Sequence, residues 1–267
     1  VRRLGLILAA SVALAAGAAR AGEMRVLSLD SCADQYVVAL APREAIVGVS
    51  PRADDDDSWM KAEAKGLPQR RPTLEAALAA RPTLVVRYWG GDERLVRALE
   101  ARGAKVVGID DASDFDGVRD DVRKVAAAMG RQAQGEKLVA RMDAQLAASR
   151  GAWKGEKALY LTPGGFTAGN KTLIGAMLNG AGLKSASDSQ WFDSVSLEKL
   201  VLDPPRLLVL GFFDAVRGGR WAPGRHPLVG RLAKERSAAS LPGAILGCPG
   251  WFVAEGSARL AASAPKR

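Results

Sequence analysis

The sequence is poor in the residues from which enzyme centres and metal sites are built. It has a single histidine, His226, set in the turn-like Gly224-Arg225-His226-Pro227 with no aspartate close by. A histidine triad therefore lacks its parts. One imidazole is also too few for a zinc or manganese centre, so no metal site is expected. GxSxG, Walker A and GxGxxG patterns are absent, and the glycines around Phe166 lack the Lys-Ser/Thr that a phosphate loop needs. Asp30 with Asp34 is the nearest thing to a carboxylate pair, and nothing singles it out for glycosidase chemistry. These gaps argue against an enzyme and against a bound cofactor.

Cysteine is nearly as scarce. Cys32 and Cys248 stand 216 residues apart with no CxxC. In an oxidising compartment the pair is free to form a disulfide, to stay as two thiols or to touch a ligand, and spacing does not decide among these. Basic clusters are missing too. The net charge of +9 is spread along the chain, and its densest stretch, Gln69-Arg70-Arg71, has no interleaved aromatics. Nucleic acid is excluded as a partner on that pattern.

Long apolar runs are confined to the N-terminus. Arg2 and Arg3 precede Leu4 to Ala18, a run of about 15 residues interrupted only by Gly5, Ser11 and Gly17. That is short of the roughly 20 residues needed to span a bilayer. It ends in Ala19-Arg20-Ala21, the small-residue pattern of a signal-peptide cleavage site. Residues 1–21 are expected to be a cleaved signal peptide, leaving Gly22 first and the protein in the periplasm. No cysteine follows the cleavage site to carry a lipid. Removal of Arg2, Arg3 and Arg20 lowers the net charge to +6 and leaves about 246 residues, enough for two lobes. A hydrophobic content of 48% with 25% charged residues is that of a globular chain.

What is present is a duplication. Thr73-Leu74-Glu75 through Arg81-Pro82-Thr83-Leu84-Val85-Val86 reappears, 123 positions on and without a gap, as Ser196-Leu197-Glu198 through Pro204-Pro205-Arg206-Leu207-Leu208-Val209. Each copy opens with a Thr or Ser cap and an acidic first turn, which the helix dipole favours. Each then runs into a proline that stops the helix and into a buried apolar strand. A period this long, occurring twice, predicts two facing α/β lobes rather than a solenoid.

Further strands are expected at Arg25 to Leu29, Ile46 to Val49, Lys105 to Ile109, Ala158 to Leu161 and Ala244 to Leu246. Helices are expected at Cys32 to Leu40, Glu93 to Arg102, Leu173 to Asn179 and from Ala254. This alternation predicts α/β lobes of Rossmann-like build with mostly parallel sheets. Between them, Phe115 to Ser149 reads as two helices meeting near Gly130. Leu138, Val139, Met142 and Leu146 give the second helix one buried face, so that it could join the lobes as a strut. The expected organisation is an N-terminal lobe over 22–130, one long connecting helix over 131–150 and a C-terminal lobe over 151–267.

Ligands of open parallel sheets bind beyond the carboxyl ends of the strands. The candidates there are Ser31, Cys32, Ser50, Arg52, Trp59, Tyr88, Trp89, Phe166, Trp191, Phe192, Trp251 and Phe252. Aromatics are only 6% of the chain, yet most fall in these loops. Flat rings give large contact area at little entropic cost, which suits a bulky, partly apolar small-molecule ligand. The acidic run Asp54 to Asp57 reads as a solvated loop.

Arg25-Val26-Leu27-Ser28-Leu29, Val47-Gly48-Val49-Ser50, the two Leu-Glu…Pro-x-Leu-Val segments, Phe166-Thr167-Ala168-Gly169 and Leu178 to Gly182 together resemble one family. It is that of the periplasmic binding proteins for cobalamin, ferric siderophores and haem, whose lobes are joined by a long helix (class III). The resemblance implies the solute-binding component of an ABC importer, a monomer that closes little on its ligand. It also implies that Glu75 and Glu198 dock onto arginines of a permease dimer. The cobalamin branch is nearest, through Val86 to Gly91 and Trp251-Phe252, although Gly250 stands where an acidic residue would be expected. Ferric siderophore and haem are the alternatives, with Tyr88 as the axial candidate for haem.

Overall fold

Short apolar strands flanked by side-chain-capped helices build two sheets in the computed structural model, which describes residues 24–214 and 222–265. The expected signal segment 1–21 lies outside the described residues. The first lobe runs β1 (Val26–Ser28), α1 (Ser31–Leu40), β2 (Ile46–Gly48), α2 (Lys61–Ala64), α3 (Leu74–Ala79), β3 (Leu84–Arg87), α4 (Glu93–Glu100) and β4 (Lys105–Gly108). Asp30, Thr73 and Asp92 cap α1, α3 and α4 by accepting first-turn amides, and Gly103, at φ +83°, turns the chain after α4. All pairings are parallel, in the order β2-β1-β3-β4.

Two helices follow, α5 (Phe115–Ala128) and α6 (Gln132–Ser149), turned at Gly130 with φ +64°. The second lobe comprises β5 (Lys157–Leu161), β6 (Phe166–Ala168), α7 (Leu173–Gly180), β7 (Lys184–Ser185), β8 (Phe192–Ser194), α8 (Leu197–Leu202) and β9 (Leu208–Gly211). It continues with α9 (Pro227–Arg236), β10 (Ser237–Leu241), α10 (Gly243–Leu246) and α11 (Val253–Ala262). Its main sheet, β10-β9-β5-β7, is again all parallel. Read from its other edge, β7-β5-β9-β10 repeats the connectivity of β2-β1-β3-β4 strand for strand. The duplicated segment forms α3–β3 in one lobe and α8–β9 in the other, each strand beside the first strand of its lobe.

Two expectations are corrected. Ala244 to Leu246 is the helical turn α10, with Pro242 at its N-cap. The closing strand is β10 instead, whose Ser237-Ala238-Ala239-Ser240-Leu241 is too polar to read as a buried strand because it lies at the sheet edge. The second lobe also carries an antiparallel ribbon of β6 with β8, in which Phe166 faces Ser194 and Ala168 faces Phe192. Three-residue strands of this kind give no periodic signal.

The lobes are fused. One cluster of buried apolar side chains runs from Val26, Tyr36 and Leu40 through Val122 and Val125 of α5 and Val139 and Met142 of α6. It reaches Tyr160, Met177, Trp251 and Leu260 in the second lobe. Helix α6 packs along both α5 and α11. Gly135 permits the first approach, since a Cβ there would meet the Ala126 methyl at 2.6 Å. Two ion pairs, Arg119–Asp143 and Arg123–Glu136, join α5 to α6, and Gln145 donates to Glu255 of α11.

Candidate functional site

A cavity of about 540 Å³ lies between the lobes, at the carboxyl ends of β3 and β4 of the first lobe. From the first lobe come Tyr88 after β3 and Asp111 to Ser113 after β4. From the second come Lys171 to Ile174, Trp191 and Phe192 on the ribbon, and Leu246 to Pro249 after α10. A larger cavity of about 630 Å³ is lined by the second lobe alone, at the amino ends of its strands around Lys157 and Asp203. The cavity between the lobes is the one that parallel-sheet topology assigns to a ligand.

The aromatics divide into two groups. Trp89, Phe166, Trp191 and Phe192 are each more than half exposed; Trp191 and Phe192 line the cavity, and Trp89 and Phe166 do not. Phe166 and Phe192 lie on the same face of the ribbon, because Ala168 is paired with Phe192 and side chains alternate along a strand. Lys171 stands over the Trp191 ring at 5.8 Å from its centroid, within cation–π range.

Trp251 and Phe252, by contrast, are 5% and 2% exposed and line no part of this cavity. They belong to the seam beneath it, which corrects their expected place among the ligand-facing rings. Phe252 stacks on Trp59 at 5.4 Å, and Trp251 meets Tyr36 edge-on. The Tyr36 hydroxyl donates to the Pro249 carbonyl at 2.6 Å, and Cys32 is joined to Cys248 by a disulfide. The seam thus holds the first-lobe residues Cys32, Tyr36 and Trp59 against the second-lobe segment 248–252. These rings follow α10 rather than a strand, so the rule that led to them does not apply.

The polar candidates also separate. Ser50 is buried; its amide and hydroxyl donate to the two oxygens of Asp34 at 2.9 and 2.5 Å. Burial is the main cause that raises the Asp34 carboxyl from 3.8 to about 6, with hydrogen bonds from Ser28 and Ser50 opposing it. Arg52 is paired with Asp55 and Asp57 of its own loop. Asp56 meets Lys61, and Asp54 accepts from Gln69, so the acidic run spends its charge locally. Ser31 is half-buried at the start of α1. None of Ser31, Ser50 and Arg52 lines the cavity.

Glu75 and Glu198 occupy matching sites, exposed in the first turns of α3 and α8. Asp111, Ser113, Lys171 and Thr172 were missed, although Asp111 and Ser113 follow β4 and the post-strand rule would have reached them. The Tyr88 hydroxyl donates to Asp111 at 2.7 Å; burial first and this hydrogen bond second hold the phenol well above its usual range. Among the described residues no group of three or more His, Cys, Asp or Glu side chains is placed to hold a metal ion.

The comparisons with known proteins agree with this geometry. Residues 26–211, well over half of the chain, match the family model described as periplasmic binding protein. No curated protein matches the sequence. Among solved structures, the periplasmic haem-binding protein HutB of Vibrio cholerae is similar with a TM-score of 0.72 at 20% identity, over 90% of this chain and 98% of that one. The periplasmic vitamin B12-binding protein BtuF of Vibrio cholerae gives 0.61 at 16%, over 90% and 95%. A structure from an ABC-type Fe3+-hydroxamate transport system of Saccharomonospora viridis gives 0.65 at 22%, over 90% and 93%. Likenesses at these identities establish the fold.

Proposed function

The chain belongs to the periplasmic binding protein family, and from that premise we propose that it captures cobalamin, or a related bulky metal complex, between its lobes and delivers it to the permease of an ABC importer. As a member of that family it is a binding protein, not an enzyme, and it acts outside the cytoplasm.

The observation that carries the choice of ligand is the set of flat rings in the cavity lining, Tyr88 from one lobe and Trp191 and Phe192 from the other, combined with a shortage of free metal donors among the described lining residues. Both cysteines are spent in the disulfide. His226 caps α9, accepting from the Leu228 amide, and lines no part of the cavity. Tyr88, the one tyrosine there, donates a hydrogen bond to Asp111, and its raised pKa opposes the phenolate that a ferric haem would take as ligand. A metal complex whose coordination sphere is already filled fits this lining better than one that needs a donor from the protein. Charge supports the same reading. Among the described lining residues Lys171 and Asp111 balance, whereas an anionic ferric siderophore would favour a more basic wall.

Titration of the purified protein with cyanocobalamin, followed by calorimetric heat and tryptophan quenching, is the test. Saturable binding at micromolar concentration or tighter is expected. Binding of a ferric siderophore or of haem with none of cobalamin would keep the class and overturn the ligand.

A further inference from the structure

Asp30 follows β1 and caps α1. Its side chain does more than that. The residue is only 2% exposed, and its carboxylate accepts four backbone amides. Oδ1 takes Cys32 and Ala33 at 3.1 and 2.9 Å, which is the cap of α1. Oδ2 takes Tyr88 and Gly90 at 2.7 and 2.9 Å, which belong to a different element, the loop after β3.

Those two amides flank Trp89, the most exposed ring of the first lobe, and the first of them belongs to Tyr88, which lines the cavity. An exposed ring has little packing to orient it, so its backbone must be held from below. Gly90 completes the arrangement. A Cβ there would stand 2.3 Å from the Leu29 carbonyl oxygen and 2.8 Å from the Asp30 Cβ, so the loop lies directly on the end of β1. Tyr88 is fixed at its far end by Asp111.

We infer that Asp30 is a positioning residue of the cleft: through Oδ2 it holds the backbone on both sides of Trp89, and so presents the Tyr88 ring to the ligand in a fixed arrangement. Such pre-organisation spares the ligand the entropy of ordering the loop. The same carboxylate holds the N-terminus of α1, which carries Cys32 of the disulfide, so the cleft wall and the seam beneath it share one anchor. This assignment rests on the reading of the cleft as the ligand site.

The two oxygens can be separated by Asp30→Ser. A serine hydroxyl still caps α1 but cannot reach the β3 loop as Oδ2 does. Hydrogen exchange of the ligand-free variant should show faster exchange at Tyr88 and Gly90 while α1 stays protected, a pattern that general destabilisation would not produce. Cyanocobalamin affinity should fall about tenfold or more, since two buried amides lose their acceptor. Gly90→Ala, which leaves Asp30 intact and lifts the loop, should weaken binding similarly and serves if the serine variant does not fold. Unchanged exchange at Tyr88 and Gly90, or affinity within about twofold of the parent protein while exchange rises, would overturn the assignment. If the parent protein binds no cobalamin, the ligand reading fails by itself, and the exchange pattern still decides whether Asp30 holds the loop.

Discussion

The two lobes share one topology but build their cleft walls differently. The first lobe fixes its wall from beneath with buried carboxylates: Asp30 holds the β3 loop, Asp34 holds Ser50, and Asp121 accepts the Asp110 amide just after β4. Among the described residues the second lobe has no buried carboxylate in the corresponding places. Hydroxyls serve there: Thr162 accepts the Phe166 amide, Thr172 caps α7 and Ser185 donates to Ala168. Onto its sheet is added the β6–β8 ribbon, which carries Phe166 and Phe192 with Trp191 beside them. A duplicated scaffold has thus become one wall held rigid by charge and one that presents apolar surface.

The comparison is broken most sharply by asking whether the lobes remain equivalent towards the permease. Glu75 and Glu198 keep equal positions despite the divergence around them. The double substitution Glu75→Ala, Glu198→Ala is expected to reduce transport to background while leaving ligand affinity within about twofold, as distant independent sites allow. Lost affinity would refute the docking role. If only one single substitution abolishes uptake, the divergence of the lobes extends to their outer surfaces.

The next largest effect should come from the seam. Replacing Cys32 and Cys248 by serine opens a covalent loop spanning 216 residues, and loop-closure entropy puts the loss near 5 kcal/mol. Because one core cluster crosses both lobes, the parent protein should melt in a single transition. A variant that melts in two would show that the disulfide, more than the shared core, makes the lobes cooperate.

Asp34 sharpens the contrast in electrostatics. Its carboxyl is raised in the folded state from 3.8 to about 6. Between those values the folded protein holds a proton that the unfolded chain has released, so stability falls as pH rises through the window. Above pH 6 the charged form costs about 3 kcal/mol in total. Asp34→Asn, which can still accept the Ser50 amide, should flatten the dependence of stability on pH between about 4 and 6. It should also raise the melting temperature at pH 7. An unchanged pH profile would mean that Asp34 is not the group responsible.

Much of this was legible in the sequence, and the failures share a cause. The long helices α5 and α6 carry several turns of apolar periodicity, and the α3–β3 and α8–β9 units were marked by repetition. Ser237 to Leu241 was not seen as a strand, since an edge position tolerates serine and alanine. Trp251 and Phe252 were expected at the ligand because Ala244 to Leu246 reads as a strand and places them in the loop beyond it. Their burial depends on Tyr36 and Trp59, some 200 residues away in the chain. The role of Asp30 was out of reach for the same reason, since its grip on Tyr88 and Gly90 spans 58 and 60 residues.

The smallest expected effect concerns how far the unlike walls move when a ligand enters. Hinge closure needs a few residues that can absorb large backbone rotations between separate bodies. Here the lobes meet through α6 packed along both α5 and α11, a continuous core, the stacked Trp59 and Phe252 and the Cys32–Cys248 bond. Closing the cleft by a wide angle would break several of these contacts at once, and one of them is covalent. Small-angle scattering with and without a saturating ligand should therefore show a change in radius of gyration below about 1 Å, the range of a pre-organised complex. A larger compaction in the parent protein would sink the rigid-seam account. Compaction that appears only after Cys32 and Cys248 are replaced would assign the restraint to the disulfide alone, and the helix would then be a connector rather than a strut.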